Sequence, residues 1–208
     1  MSATTSSLTL HGFALSGHSH RVELFLSLLG LPYECIDVDL AGGAHKRPEF
    51  LAKNVFGQVP VLEDGPVVLA DSNAILVYLA RRYGAGKAID WLPAAPQVEA
   101  EVQRWLTVAA GLLAFGPARA RLKVLFKADV DADDARKRAD QLLTVMDGEL
   151  ARRAWLAGDA PTLADIANYS YVAHAPDGHV PLDPYPNVRA WLARIEALPG
   201  FVPLRGAA

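Results

Sequence analysis

One stretch of the sequence, residues 57–84, constrains the fold more than any other. Two runs of strand-forming residues, 59–62 and 67–70, are separated by Asp64-Gly65, and Asp-Gly between two such runs is typical of a β-hairpin. Pro60 stands where the first run begins, a place at which a strand tolerates its missing N–H. The stretch therefore predicts a hairpin whose first strand begins at a proline.

A helix is predicted directly after this hairpin. Apolar residues at positions 75, 76, 79 and 83 follow helical spacing, and Ser72 is a suitable N-cap. The free N–H groups at a helix start attract an anion, and Asp71 offers a carboxylate to a cation. An amino acid carries both charges, so Asp71 and Ser72 have two interpretations. They bind the amino-acid end of a ligand, or they only cap the helix.

The residues before the hairpin predict two more strands with a helix between them. Residues 8–13 and 32–40 have strand patterns, with Ile36 inward in the second. Residues 16–20 are predicted as a loop and residues 21–29 as a helix with one apolar face. A polar connector follows and contains a short helix near residue 50. The resulting order β-α-β-α-β-β-α, with a proline before the third strand, is the thioredoxin-like pattern.

The second half of the chain has no further strand pattern. A linker rich in glycine and proline is predicted first, followed by helices at residues 97–121, 131–153, 162–173 and 187–198. Gly116-Pro117 is expected to bend or interrupt the first of them. Thr162 and Asp165 form a capping box, which gives Asp165 a structural role. The fold class is therefore α/β plus all-α, with an α/β domain at 1–84, a linker at 85–96 and an all-helical bundle at 97–208.

Composition excludes several functions. The 208 residues are 51% hydrophobic with a net charge of −3, so no basic surplus is present for nucleic acid or an acidic membrane. The longest apolar run, residues 22–31, is too short to span a bilayer, and residues 1–7 lack the features of a signal peptide. The single cysteine, Cys35, permits no internal disulfide, fits a reducing cytoplasm and is predicted to be buried. No cysteine or acidic cluster joins His18 and His20, so we expect no metal site.

These patterns resemble the glutathione S-transferase family across essentially the whole chain. Gln58-Val59-Pro60, the hairpin and Asp71-Ser72 are similar to the family's glutathione-binding half, and the order of domains is similar as well. In that family the Val-Pro bond is cis, the backbone of the residue before the proline pairs with the cysteinyl part of glutathione, and an acidic-Ser pair holds the γ-glutamyl end. The usual acid is glutamate, whereas Asp71 is shorter by one C–C bond, roughly 1.5 Å.

The resemblance also implies how the thiol of glutathione is activated. Serine-type glutathione transferases carry Ser-x-x-(Ser/Cys)-x-(Arg/Lys) after the first strand, and Ser16, Ser19 and Arg21 match this pattern. A hydroxyl that donates to a thiolate lowers the thiol pKa, and a nearby helix start lowers it in the same way. Ser16 is the predicted activator, with His18 and Ser19 as alternatives. The competing interpretation is that Ser16 and Ser19 only cap a helix.

Further binding residues follow from the same resemblance. His45-Lys46 taken alone is a solvated basic loop, but it resembles the plant-type (phi) pattern in which this pair binds the glycyl carboxylate. Gln58 is expected to reach the peptide or the γ-glutamyl part of glutathione. The electrophile pocket is expected between the domains, and its predicted lining residues are Phe13, Leu112, Phe115 and Arg119.

The function implied is conjugation of the glutathione thiolate to a small apolar electrophile, a detoxification chemistry, by a cytoplasmic homodimer that binds no metal, nucleic acid or membrane. Two alternatives stay open. One is glutathione-dependent reduction of a disulfide or peroxide at the same site. The other is a non-catalytic family member that binds partners. Such proteins often lose the activating serine or the acidic-Ser pair, and this chain has both Ser16 and Asp71-Ser72.

Overall fold

The computed structural model describes residues 8–205, which fall into two compact units. The first unit contains residues 8–83 together with 199–205, and the second contains residues 84–198. Residues 199–205 were predicted as part of the all-helical domain, whereas the structure groups them with the first unit; the other predicted boundaries stay a prediction. Residues 1–7, for which no signal peptide is predicted, lie outside the described range.

The first unit contains a four-stranded sheet. Its strands are β1 (Leu8–Gly12), β2 (Tyr33–Asp37), β3 (Val61–Asp64) and β4 (Val67–Ala70). Their order in the sheet is β2-β1-β3-β4, with β1 parallel to β2 and antiparallel to β3, and with β3 antiparallel to β4. Leu10 lies opposite Cys35 on one side and Leu62 on the other. The predicted hairpin is therefore confirmed as β3–β4.

Three helices accompany this sheet. They are α1 (Gly17–Leu28), α2 (Pro48–Leu51), which follows a 3₁₀ turn at Ala44–Lys46, and α3 (Ser72–Tyr83). The order of elements is β-α-β-α-β-β-α. The predicted thioredoxin-like class of this unit is confirmed.

Helix α1 begins four residues before its predicted start at Arg21. Ser16 is its N-cap, with extended backbone angles and a side chain that accepts a hydrogen bond from the Ser19 N–H. The first turn was predicted as a loop because Gly17-His18-Ser19-His20 has no apolar periodicity. Every residue from Ser19 to Leu26 is buried by the tertiary structure, so the helix has no solvent-exposed face along that stretch. A helix without a solvent-exposed face needs no periodic spacing of apolar residues.

The prediction that Ile36 points inward is wrong, because its side chain is 40% exposed. Strand β2 lies at the edge of the sheet and ends at Asp37, where the Val38 N–H donates to the Gly12 carbonyl at 2.7 Å. Val38 then packs in a core cluster with Phe50 and Val61. The prediction placed Ile36 on the same face of the strand as Val38. Val38 follows the end of the strand, where side chains no longer alternate with a period of two.

Within its described residues the second unit contains helices and no strand, which confirms the predicted class. Its elements are α4 (Pro96–Val108), a π-helical segment (Ala109–Ala118), α5 (Arg119–Phe126), α6 (Ala132–Leu150), α7 (Leu163–Ala173), a 3₁₀ turn (Ala175–Gly178) and α8 (Pro186–Glu196). None of the helices described within residues 8–205 is long and apolar enough to cross a membrane.

The Gly116-Pro117 step changes the hydrogen bonding of the first long helix without ending it. The chain stays helical from Pro96 to Phe126, and Pro117, which has no N–H to donate, lies inside the π-helical segment. A Cβ on Gly116 would lie 2.8 Å from the backbone nitrogen of Ala139 on α6. Glycine is therefore required here for the close approach of the two helices.

The predicted capping box at the start of α7 is confirmed. The Asp165 carboxylate is fully buried and accepts from the N–H groups of Leu156 and Thr162 at 2.9 and 2.8 Å. It also accepts from the Trp191 indole at 2.8 Å and from the Thr162 hydroxyl at 3.3 Å. Asp165 thus joins α7, α8 and the segment before α7 through one carboxyl group.

Candidate functional site

A cavity of about 540 Å³ lies within the first unit. Three segments form its wall: the first turn of α1, the chain between α2 and β3, and the junction of β4 with α3. The lining residues are His18, Lys53, Asn54, Val55, Phe56, Gln58, Val59, Pro60, Ala70, Asp71 and Ser72. The Val59–Pro60 peptide bond is cis. Six of the predicted site residues therefore share one cavity, although they come from distant parts of the sequence.

The start of α3 differs from its prediction in one respect. Asp71, not Ser72, caps the helix: its Oδ1 accepts from the N–H groups of Asn73 and Ala74 at 2.9 and 3.0 Å. Asp71 has a φ of +70°, and aspartate is one of the few residues that tolerates this left-handed region. Ser72 is the first residue of the helix and is buried. Both residues line the cavity, and Asp71 also caps the helix.

Arg21 joins α1 to the start of α3, a role that the sequence did not reveal. Its buried guanidinium donates from Nη1 to Ser72 Oγ and to Asn73 Oδ1, each at 2.7 Å. His18, one turn earlier on α1, has its Nδ1 at 3.4 Å from the same Ser72 hydroxyl. The only sequence signal for Arg21 was its match to the serine-type motif, and that motif does not name its partner. Arg21 fixes the Ser72 side chain at the cavity wall.

His18 is neutral in the folded protein. Burial, together with the positive charge of Arg21, lowers the pKa of His18 to about 3. Both causes disfavour the imidazolium. A histidine with so low a pKa is a weak base near neutral pH, so His18 is poorly suited to take the proton of a thiol.

We expect the His18 environment to make stability depend on pH. Between pH 6.5 and 3 the unfolded chain binds a proton at His18 that the folded chain does not, so wild-type stability is lost as the pH falls through this window. Between pH 7.5 and pH 5 the wild type should lose about 1–2 kcal/mol relative to His18→Asn. Urea unfolding of both proteins at the two pH values measures this difference. Equal differences at both pH values would contradict the assignment.

Ser16 and Ser19 differ in exposure and in their hydrogen bonds. Ser16 is half-buried, and its Oγ accepts from the Ser19 N–H at 3.2 Å. Ser19 is fully buried, and its Oγ accepts from the Phe13 N–H at 3.1 Å, which ties the loop after β1 to α1. Ser16 is not among the residues that line the cavity in the described part of the chain.

The connector before β3 is held by polar contacts to its backbone. Lys46 donates from Nζ to the carbonyl oxygens of Phe56 and Gly57 at 3.2 and 3.0 Å. Asn54 is buried, donates to the Gln58 carbonyl at 2.8 Å and accepts from the Phe56 N–H at 3.1 Å. The sequence did not single out Asn54, because an asparagine in a polar connector has no distinguishing pattern. Lys46 is exposed and His45 is partly exposed, and neither is among the described residues that line the cavity.

A charged cluster lies beside the cavity and was not predicted. Glu63 on β3 accepts from Lys53, a lining residue, and its carboxylate also pairs with the His11 ring of β1. Hydrogen bonds, first from Lys53 and then from His11, hold the pKa of Glu63 below its usual value. Lys53 therefore brings a positive charge, held by Glu63, to the cavity wall.

The remaining predicted residues have less defined roles. Phe13 lies in the first unit, while Leu112, Phe115 and Arg119 lie in the second, where Phe115 is 52% exposed. Their contact with an electrophile stays a prediction. The prediction that Cys35 is buried is wrong, because this thiol is only half-buried and lies 3.2 Å from Arg205 Nη2. Within residues 8–205, no group of three or more His, Cys, Asp or Glu residues is arranged to hold a metal ion.

Fold and cavity define a two-unit protein with a thioredoxin-like unit, a cis-proline at the cavity wall and a helical second unit. Residues 6–81 match the family model for the glutathione S-transferase N-terminal domain, and residues 104–199 match the model for the C-terminal domain. The chain therefore belongs to the glutathione S-transferase family and is an enzyme of this type.

Individual relatives agree with this assignment over nearly their whole length. Glutathione S-transferase 3 of Zea mays is 39% identical, with 93% of this chain and 91% of that protein aligned. Glutathione S-transferase theta-2 of Mus musculus is 31% identical over 93% of this chain and 82% of its own length. The crystal structure of a glutathione S-transferase from Pseudomonas fluorescens superposes with a TM-score of 0.89 at 34% identity, covering 96% of this chain and 99% of that one.

Proposed function

We propose that this enzyme transfers the thiolate of glutathione to a small apolar electrophile and that Ser16 stabilises the thiolate. The observation that carries the proposal is the cavity in which Val59, Pro60, Asp71 and Ser72 share one wall. Such a wall offers backbone groups to a peptide and a carboxylate beside a helix start to an amino-acid end. Glutathione presents both features in one molecule.

In this proposal each end of glutathione meets a group of opposite charge. The γ-glutamyl ammonium pairs with Asp71, and the α-carboxylate of the γ-glutamyl part pairs with Ser72 at the positive end of the α3 dipole. The backbone beside Pro60 pairs with the cysteinyl part, and Gln58 reaches the peptide. His45 and Lys46 bind the glycyl carboxylate, for which a lysine ammonium is a suitable partner.

The chemistry needs a thiolate rather than a thiol. The Ser16 hydroxyl donates to the sulfur, lowers the thiol pKa and lets the proton leave to solvent. The sulfur lone pair then forms a C–S bond with the electrophile, and the leaving group departs with its electron pair. We assign the activating role to Ser16 rather than Ser19, because Ser19 is fully buried and engaged with the Phe13 backbone.

The finer points of the assembly belong to the same proposal. We infer that Phe13, Leu112, Phe115 and Arg119 contact the electrophile and that the enzyme works as a homodimer in the cytoplasm. Conjugation of an aryl chloride, measured by the absorbance of the thioether product, tests the reaction class. Turnover of a disulfide or a hydroperoxide without conjugation would instead assign a glutathione-dependent reductase, and glutathione binding without any turnover would assign a binding protein.

The charge of Asp71 can be tested without disturbing the helix that it caps. Asp71→Asn keeps an oxygen that caps α3 and a residue that tolerates positive φ, but it removes the negative charge. We expect glutathione to bind about tenfold more weakly by titration calorimetry, because one charge-assisted contact to the ammonium is lost.

The matched ligand for this test is glutathione without its γ-glutamyl amino group. Because this ligand has no ammonium, it should bind wild type and Asp71→Asn with equal affinity. Unchanged affinity of Asp71→Asn for intact glutathione would mean that Asp71 serves only as the helix cap.

A further inference from the structure

Residues 199–205, which we call the C-terminal strap, belong to the first unit although they follow the last helix of the second. At Gly200 the φ is +90°, and a Cβ there would lie 2.9 Å from the Ser27 carbonyl oxygen, so the strap passes directly against α1. The Val202 carbonyl can only accept, so the buried His20 donates to it from Nε2 at 2.9 Å. The strap therefore contacts α1 at two separate points.

Arg205 forms the most specific contact of the strap. Its Nε and Nη2 each lie 3.0 Å from one oxygen of the Glu23 carboxylate, a paired arrangement. It also donates to both oxygens of Asp37 at 3.2 and 3.0 Å, while Nη2 lies 3.2 Å from Cys35 Sγ. Glu23 is buried, whereas Asp37 is exposed. Two parallel hydrogen bonds between a guanidinium and a carboxylate fix orientation as well as charge.

Glu23 lies close to the place where the chain leaves β1 towards Ser16. A Cβ on Gly12, the last residue of β1, would lie 3.8 Å from Glu23 Oε1 and 3.3 Å from Ser19 Oγ. Ser19 in turn accepts from the Phe13 N–H. Glu23 and Ser19, one turn apart on α1, therefore pack side by side against the end of the strand. The loop that begins there ends at Ser16, the N-cap of the same helix.

We propose that Arg205 is a positioning residue for Ser16, acting through Glu23 and α1; this inference rests on the proposed function. A buried carboxylate that loses its cation is strongly unfavourable. Without Arg205, α1 relieves this charge by shifting Glu23 towards water, and the shift displaces Ser16 from the glutathione sulfur. Catalysis is sensitive to such displacements, because a 1 Å misplacement can cost about 100-fold in rate.

The test compares Arg205→Met with the double variant Glu23→Gln/Arg205→Met, which removes the charge pair as a whole. The matched control is Arg153→Met in the second unit, where the guanidinium donates to Glu101 at 2.9 Å and to Glu149 at 3.0 Å. Each protein is assayed for the pKa of bound glutathione, for kcat/KM with an aryl chloride and for thermal unfolding. Arg205→Met should raise the bound-thiol pKa by about one unit and lower kcat/KM about tenfold.

The double variant should recover most of both losses, and Arg153→Met should lower only the unfolding temperature. A bound-thiol pKa and kcat/KM in Arg205→Met equal to those of wild type would overturn the proposal, whatever the change in unfolding temperature. If the double variant showed the same rise in bound-thiol pKa and the same loss of kcat/KM as Arg205→Met, the proposed role of the Glu23 charge would be overturned. A wild-type enzyme that leaves the glutathione pKa at its free value refutes Ser16 activation itself, a result visible before any strap variant is measured.

Discussion

Ser16→Ala should return the pKa of bound glutathione towards the free-thiol value of about 8.5 and lower kcat/KM for an aryl chloride at pH 7 by about 10- to 100-fold. A hydrogen bond to a charged group contributes about 1.5–3 kcal/mol, which corresponds to this range of rates. The ultraviolet absorbance of the bound thiolate, titrated with pH in both proteins, gives the pKa directly. A low pKa that persists in Ser16→Ala would transfer the role to Ser19 or His18.

A second variant separates the hydroxyl from the helix cap. Ser16 caps α1 by accepting from the Ser19 N–H, so alanine removes both a donor to the thiolate and a cap. Glycine at an N-cap costs only about a few tenths of a kcal/mol, whereas alanine costs about 1 kcal/mol. If the hydroxyl matters, Ser16→Gly and Ser16→Ala lose activity equally while differing in stability. If the less stable variant also lost more activity, the helix cap rather than the hydroxyl would be the cause.

Asp165→Ala should lower the free energy of unfolding by about 3–5 kcal/mol, because each buried donor left without an acceptor costs about 1–3 kcal/mol. The change leaves the N–H groups of Leu156 and Thr162 and the Trp191 indole without their acceptor inside the protein. In a chain of this size we expect the melting temperature to fall by about 10 °C or more, measured by circular dichroism.

The matched control for Asp165 is another aspartate at a helix start. Asp131 caps α6 by accepting from the N–H groups of Asp133 and Asp134 at 3.0 Å each, but these contacts are exposed. Asp131→Ala should cost only about 1 kcal/mol, the ordinary value for a lost N-cap. If the two variants lost equal stability, the burial of Asp165 would not be the source of the effect.

Features that depend on neighbours a few residues apart were predictable from the sequence. The hairpin indicated by Asp64-Gly65 needs only its two flanking strands, although its two turn residues are Gly65 and Pro66. The box of Thr162 and Asp165 closes over three residues. Prediction from near neighbours did not find the start of α1, because the first turn after Ser16 has no apolar period and is buried by the rest of the unit. It also misplaced the cap of α3, since Asp71 and Ser72 are both good caps and only the positive φ of Asp71 distinguishes them.

Features that depend on contacts distant in sequence were not predictable. Arg21 bonds to Ser72, 51 residues later, and no pattern in either segment indicates its partner. The cavity wall has the same origin: Val59, Pro60, Asp71 and Ser72 were predicted from a family resemblance, whereas Lys53 was not singled out as a wall residue. Which side chains face a cavity depends on how separate segments pack, and the spacing of residues within one segment does not contain that information.

The C-terminal strap has a consequence for how the protein is made. The first unit is discontinuous in the chain, because the whole of residues 84–198 is translated between α3 and the strap. At the usual ribosomal rate of about 5–20 residues per second, this interval lasts on the order of ten seconds. During it the nascent sheet and α1 exist without the guanidinium that neutralises Glu23. The thioredoxin-like unit, although most of it emerges first from the ribosome, is therefore the last of the two to be completed.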